Sequence, residues 1–244
     1  MKIGELQFAN YNAKLRINNN LYENNKCKCP YLGLYTDGSK NPYSYMQFCL
    51  RSKSFCNKNS YPLVLEIIRQ ISLELESGCN CKTSSWMKRI NFADWKQKKQ
   101  VYRRTSFLGP DNVNGLKVNS YWINTSFMST RHDQRMAAGY SYNWGPVDEN
   151  KVKYLLVFEM ENYVKGAFIE KCSAVETDRE FLVDEGQYWQ VTSIKQGTKY
   201  QYDRYENYLK GNYKKVSGDK AVYTTVYLKA IPKTTKVPKF DIEL

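Results

Sequence analysis

From residue 60 to 77 the chain reads SYPLVLEIIRQISLELES, and its apolar side chains return every three or four positions: Leu63, Ile67 and Ile71 on one line, Val64, Ile68 and Leu75 beside it. That period is helical, so the segment is expected to be an amphipathic helix with Ser60 as its N-cap, Pro62 in its first turn and one face packed on a partner. A shorter helix is expected over residues 91 to 99 (NFADWKQKK), with Asn91 as its cap. Beyond residue 100 the texture changes to short strand-like runs: QVYRRTSF, GLKVNSYWI, VKYLLVFEM, AFIEKCS, REFLV, QYWQVTSI and AVYTTVYLKAI. Turn signals separate them, among them GPDN, WGPVDEN, DEG and SGDK. Residues 131 to 142 (RHDQRMAAGYSY) interrupt this series with a helical pattern that puts Met136, Ala137 and Tyr140 on one side. The expectation is a helical N-terminal half, a mostly antiparallel β half with one helix inserted, and a polar, loose tail, KTTKVPKFDIEL.

Composition narrows the setting. The chain has 244 residues, 42% of them hydrophobic, which is enough to bury a sizeable core. No apolar run reaches the length of a membrane-spanning helix, and the N-terminus MKIGELQFANYNAK lacks the apolar stretch of a signal peptide. Either the chain is cytoplasmic where it is made, or an export signal has been removed. A formal charge of +13 suits an acidic partner such as nucleic acid, an anionic membrane surface or a phosphate-bearing small molecule, and equally a merely soluble basic surface. There is no long basic arm, which weakens the nucleic-acid reading. Cys27, Cys29, Cys49, Cys56, Cys79 and Cys81 cluster in the N-terminal part, apart from Cys172. They read as a disulfide framework or as reduced thiols; zinc ranks behind both, because neither a Cys-x-x-Cys pair nor a nearby His is present. His132 is the only histidine, so carboxylates, hydroxyls and arginines are the available chemistry.

Three features of the β half carry that chemistry. Arg103 sits in an apolar strand pattern, where burial would demand an anionic partner. In SFMST, residues 126 to 130, hydroxyls end a strand just before a helix. In VETDREFLV, residues 175 to 183, Glu176, Asp178 and Glu180 alternate, so that an extended backbone projects all three carboxylates to one side. Taken singly, Arg103 reads as an edge-strand surface residue, Ser129 and Thr130 as a helix cap, and the acids as a solvated strand face. Together they make a kit for a pyridine dinucleotide: an Arg for phosphate, hydroxyls for positioning, and a carboxylate for developing positive charge.

In order and spacing these residues resemble the arginine-type mono-ADP-ribosyltransferases, the vertebrate ecto-enzymes and bacterial toxins marked by Arg, Ser-Thr-Ser and Glu-x-Glu motifs. Tyr102-Arg103-Arg104 resembles the family's Tyr-Arg-Gly, Phe127-Met128-Ser129-Thr130-Arg131 its Phe-x-Ser-Thr-Ser, and Asp178-Arg179-Glu180-Phe181-Leu182 its Glu-x-Glu-Val-Leu. The resemblance extends over about residues 31 to 231, from LGLYTDGSKNPYSYMQFCLR to TVYLKAI. It implies an α+β ADP-ribosyltransferase fold: a helical N-terminal lobe over residues 1–98 packed on a mixed, mostly antiparallel two-sheet β core over 99–231, in one catalytic domain with a polar tail over 232–244.

By that resemblance the substrate is NAD, with no metal, and ADP-ribose passes to a protein side chain, arginine first among them; NAD glycohydrolysis is the side activity. Glu180 would counter the charge at the ribose, Arg103 would clamp the phosphates, Ser129 would orient Glu180 and the ribose, Tyr140 would stack on nicotinamide, and Asp178 would face the acceptor. Arg104 and Thr130 complete the dinucleotide-binding set. Arg104 stands where the family has Gly, Arg131 where it has the last Ser, and Asp178 where it has the first Glu, which bears most on acceptor choice. The setting implied is that of a monomeric toxin or effector, secreted or delivered into a host cell and acting on a host protein. The alternatives are modification of a nucleic acid base, modification of a Thr, Asn or Gln side chain, or a weakened NAD-binding module. The nucleic-acid branch is disfavoured because its members carry Gln where this chain has Asp178.

Overall fold

The computed structural model describes residues 31, 32, 35, 46, 49, 50, 61–76, 100–105, 117–139, 153–161, 163–169, 180–206, 214–237 and 242–243. The chain divides into two compact units, the first made of residues 1–92, 125–128 and 165–185, the second of residues 93–124, 129–164 and 186–244.

In the first unit the principal helix is α1, Tyr61–Glu76. Its period does what the sequence requires: Val64, Ile67, Ile68, Ile71 and Leu75 are buried, while Leu65, Glu66, Arg69 and Leu73 face water. Ser60, the expected cap, lies outside the described residues. The buried stripe joins Leu32, Tyr35, Met46, Cys49, Phe127, Ala167, Ile169 and Leu182 in one apolar cluster, in which the Tyr35 and Phe127 rings meet edge to face at 5.4 Å. Cys49 is disulfide-bonded, which decides the thiol question at that position. Toward its C-terminal end α1 is tied by polar contacts. Glu74 accepts the main-chain N–H groups of Leu32 (2.8 Å) and Tyr31 (3.2 Å), and Ser72 donates its hydroxyl to Asp184 Oδ1 at 2.7 Å.

Strands β5 (Gly166–Phe168) and β6 (Glu180–Val183) form an antiparallel pair in the same unit, with Ala167 opposite Leu182. Gly166 is required there: a Cβ would come within 2.7 Å of both the Leu182 carbonyl oxygen and the Phe181 ring.

The second unit holds a sheet in the order β3-β1-β4-β8-β7-β2-β9. Its strands are β1 (Gln100–Thr105), β2 (Tyr121–Ile123), β3 (Met128–Arg131, of which Ser129 onward belongs here), β4 (Tyr154–Glu159), β7 (Tyr188–Glu206), β8 (Lys214–Ile231) and β9 (Ile242–Glu243). Pairing is antiparallel except between β4 and β8 and between β2 and β9. The sheet is therefore mixed and mostly antiparallel, as expected. One face of it buries Trp122, Phe158, Trp189, Val191 and Leu228. Trp189 Nε1–H satisfies itself on Asn124 Oδ1 at 3.0 Å, whereas Trp122 Nε1–H meets no acceptor among the described residues.

Helix α2, Gln134–Gly139, follows β3 directly and lies against β1 and β7. The sequence expectation of a helix from residue 131 is corrected at its start: Arg131 ends the strand, and the helix is capped by Asp133, whose Oδ1 accepts the N–H groups of Arg135 (3.0 Å) and Met136 (3.2 Å). The α2 face packs tightly on the sheet. An added Cβ at Gly139 would collide with the Asp203 backbone carbonyl.

The hairpin of β7 and β8 departs most from expectation, running 19 and 18 residues where the sequence reading ends the first strand at residue 194 and begins the second at 221. SGDK, read as a turn, lies inside β8. A Cβ on Gly218 would strike the Tyr202 ring, so the glycine marks ring packing across a bulged ladder rather than a chain reversal. Likewise Ile242 and Glu243, in the polar tail, pair with Trp122 and Ile123. The helix expected over 91 to 99 lies outside the described residues. Among those described, no helix is long and apolar enough to cross a membrane.

Candidate active site

Strand β1 alternates its side chains, so Val101 and Arg103 share one face while Gln100, Tyr102 and Arg104 share the other. Arg103 is half-buried, and its Nη1–H donates to the Ser129 main-chain carbonyl at 3.0 Å. Two motifs 26 residues apart in sequence are thereby joined side by side. No carboxylate neutralises Arg103 among the described residues, and one acceptor uses only a fraction of its five N–H donors. A guanidinium left this way fits a phosphate or pyrophosphate group, which accepts two parallel hydrogen bonds.

Arg104 turns the opposite way and is buried. Its Nη1–H points to the Ala138 carbonyl at 3.4 Å, and its guanidinium lies 5.9 Å from the centre of the Tyr223 ring. The Tyr223 hydroxyl donates to the same Ala138 carbonyl at 3.0 Å. The Arg104 side chain thus packs on the end of α2 and not beside Arg103.

Ser129 is half-buried, and Thr130 and Arg131 are buried in β3. Position α2 immediately after them depends on two devices. One is the Asp133 cap, a signal that was legible as an Asp ahead of a helical run. The other is Arg135, whose Nη2–H reaches the buried Asp203 at 2.7 Å and the Ser217 hydroxyl at 3.1 Å. Asp203 also receives Lys215 at 2.9 Å and the Ser217 hydroxyl at 3.1 Å. Burial pushes the Asp203 carboxyl up, but Lys215, Ser217 and Arg135 outweigh it and hold the group below its ordinary range. No spacing in the sequence announces this cluster, in which Arg135 meets groups 68 and 82 residues further along the chain.

Glu180 opens β6 in the first unit, where it is 8% exposed, and its carbonyl accepts the Ile169 N–H at 3.1 Å. Phe181, Leu182 and Val183 after it are buried as well, so the carboxylate stands at the start of a wholly interior strand. Such a carboxylate is a functional candidate because burying it has a cost that ordinary solvated acids avoid. Asp178 and Tyr140 lie outside the described residues.

The fold is that of the ADP-ribosyltransferases. Its solved likenesses include Vis, an ADP-ribosyltransferase toxin from Vibrio splendidus, in complex with an inhibitor named M6: TM-score 0.55 at 13% identity, covering 88% of this chain and 78% of that one. The same protein in complex with agmatine gives a TM-score of 0.53 at 13% identity, covering 89% of this chain and 84% of that one. The enzymatic component C2-I of the Clostridium botulinum C2 toxin gives 0.51 at 15% identity, covering 84% of this chain and 43% of that one. No family model and no curated protein sequence matches the chain.

Proposed function

We propose that the protein is a mono-ADP-ribosyltransferase that cleaves NAD between nicotinamide and ribose and passes ADP-ribose to a protein side chain, arginine first among the candidates. The observation that carries the reading is the Arg103 contact with Ser129, which puts a guanidinium with no carboxylate partner among the described residues against the hydroxyl-bearing strand, in a chain with this fold. NAD supplies a good leaving group on the ribose, so the protein has to hold the ring and counter positive charge more than it has to donate a proton.

Arg103 would bind phosphate oxygens, with Ser129 fixing its direction through the carbonyl and presenting its own hydroxyl to the ribose. Glu180 would accept from a ribose hydroxyl and oppose the developing charge. Arg104, with its side chain committed to the α2 side, would contribute main chain only, so its substitution for glycine leaves room on the dinucleotide side. Tyr140 would stack on nicotinamide, Thr130 would support β3, and Asp178 would polarise the incoming nucleophile. Arginine as acceptor draws support from Vis, which has been solved with agmatine, a guanidine compound. Delivery as a secreted toxin is the setting in keeping with such neighbours.

Incubating the chain with NAD and following nicotinamide release tests the chemistry directly. Glu180→Ala should lose about 10³-fold or more while the chain stays folded. Near-parent turnover in that variant would sink the assignment. Asp178→Ala should lose transfer to agmatine and keep NAD hydrolysis, because water needs less positioning than a guanidinium.

A further inference from the structure

The sheet face opposite Arg103 carries a concave feature. Gln100, Val157, Glu159, Ser193, Lys195 and Tyr227 line a cleft of about 170 Å³ in the second unit. Register explains its shape. Gln100 stands opposite Glu159 and Tyr102 opposite Val157, while Val157 also faces Tyr227 and Tyr227 faces Ser193. Between two tyrosines the smaller Val157 leaves a depression. The short helix α2 covers Leu155, Ala221 and Tyr223 further along this face and does not line the cleft.

Two oppositely charged, water-exposed side chains, Glu159 and Lys195, stand on the rim. Glu159 is paired across the ladder with Lys229, yet Lys229 directs its ammonium to Glu161 at 3.6 Å, and the Glu159 carboxylate has no partner among the described residues. Lys195 makes no ion pair there either; its ammonium lies 5.2 Å from the centre of the Tyr227 ring. Gln100 accepts the Tyr102 hydroxyl at 3.2 Å through Oε1, which leaves its amide N–H groups as donors. Burial and the neighbouring Tyr200 hydroxyl push the Tyr227 phenol up to about 12, so it stays protonated at any physiological pH.

The geometry points to a second ligand site here, for a neutral polyhydroxylated molecule of one ring, a monosaccharide unit. A net anion would meet Glu159, and a net cation would meet Lys195. Sugar hydroxyls both donate and accept, so one ring can give to the carboxylate and take from the ammonium and the amide together. Its C–H face suits the Val157 floor. The cleft is smaller than the roughly 300–1,000 Å³ of sites for drug-sized ligands, which argues for a single ring and against a dinucleotide. This site stands apart from the NAD reading in residues and in sheet face.

The test is a titration of the isotope-labelled full chain with the methyl glycosides of glucose, galactose, mannose and N-acetylglucosamine, followed by amide chemical shifts. Saturable shifts at Ser193, Lys195 and Tyr227 with one glycoside are expected, weakened at least ten-fold in both Glu159→Ala and Lys195→Ala while their melting temperatures match the parent. Three results would overturn the proposal: no saturable shift with any glycoside, shifts that survive both substitutions, or saturation of these residues by methylguanidinium or inorganic phosphate but by no sugar.

Discussion

Arg103 shows how a single residue changes meaning between sequence and structure. In the sequence it is a charge interrupting an apolar strand; in the fold it is half-buried and, among the described residues, donates one hydrogen bond, to the Ser129 carbonyl. Hydroxyl chemistry was the reason to single out Ser129, and the residue's main-chain oxygen is what Arg103 holds. Arg103→Lys keeps the charge but loses the planar fork that serves a carbonyl and a phosphate at once. The expected result is a fall of about ten-fold in kcat/KM for NAD cleavage, the loss of one charge-assisted hydrogen bond, with little change in melting temperature. Steady-state nicotinamide release measures it, and an unchanged kcat/KM would remove Arg103 from the phosphate role.

At the scale of elements, periodic segments came through and local exceptions did not. Helix α1 was readable because its apolar stripe decides both its existence and its buried face. The start of α2 was misplaced because Arg131 continues the ladder with β1, opposite Tyr102, and the Asp133 cap takes over only two residues later. SGDK was read as a turn, yet Gly218 sits within β8 because the Tyr202 ring needs its space; Gly139, at the end of α2, lies where the Asp203 backbone leaves no room for a Cβ. Backbone cannot swing aside as a flexible side chain can. Gly139→Ala is therefore expected to destabilise by about 2–3 kcal/mol, as other overpacked sites do. Chemical denaturation of parent and variant checks this, and a difference under about 0.5 kcal/mol would mean that α2 shifts freely on the sheet.

For the whole molecule, the two units carry opposite responses to acid. Burial pushes the Glu74 carboxyl from 4.5 to about 7, against the two N–H groups it accepts. The folded chain then holds that proton more tightly than the unfolded one, so stability is full below pH 4.5 and declines as pH rises through 7. Partial exposure limits the effect to on the order of 1–2 kcal/mol. Asp203 behaves the other way: its carboxyl is held low, so its contribution is present above pH 4 and fades as pH falls through its folded value. Hydrogen exchange resolved by segment should show α1 amides better protected at pH 5 than at pH 8, after correction for intrinsic exchange, and Glu74→Gln should abolish the difference. Equal protection at both values in the parent chain would contradict the Glu74 assignment.

Spacing along the chain was enough for the α+β class, the amphipathic helix and most strand cores: 3.6 residues mark a helix and two a strand. Tertiary structure alone decided the rest. Which arginine of the pair faces Ser129, which carboxylate binds Arg135 and Lys215, how far β7 and β8 extend and where Ile242 finds a partner all depend on groups far apart in sequence. Their pairing is fixed by register, by the room that glycines leave and by burial, and none of these leaves a period to be read.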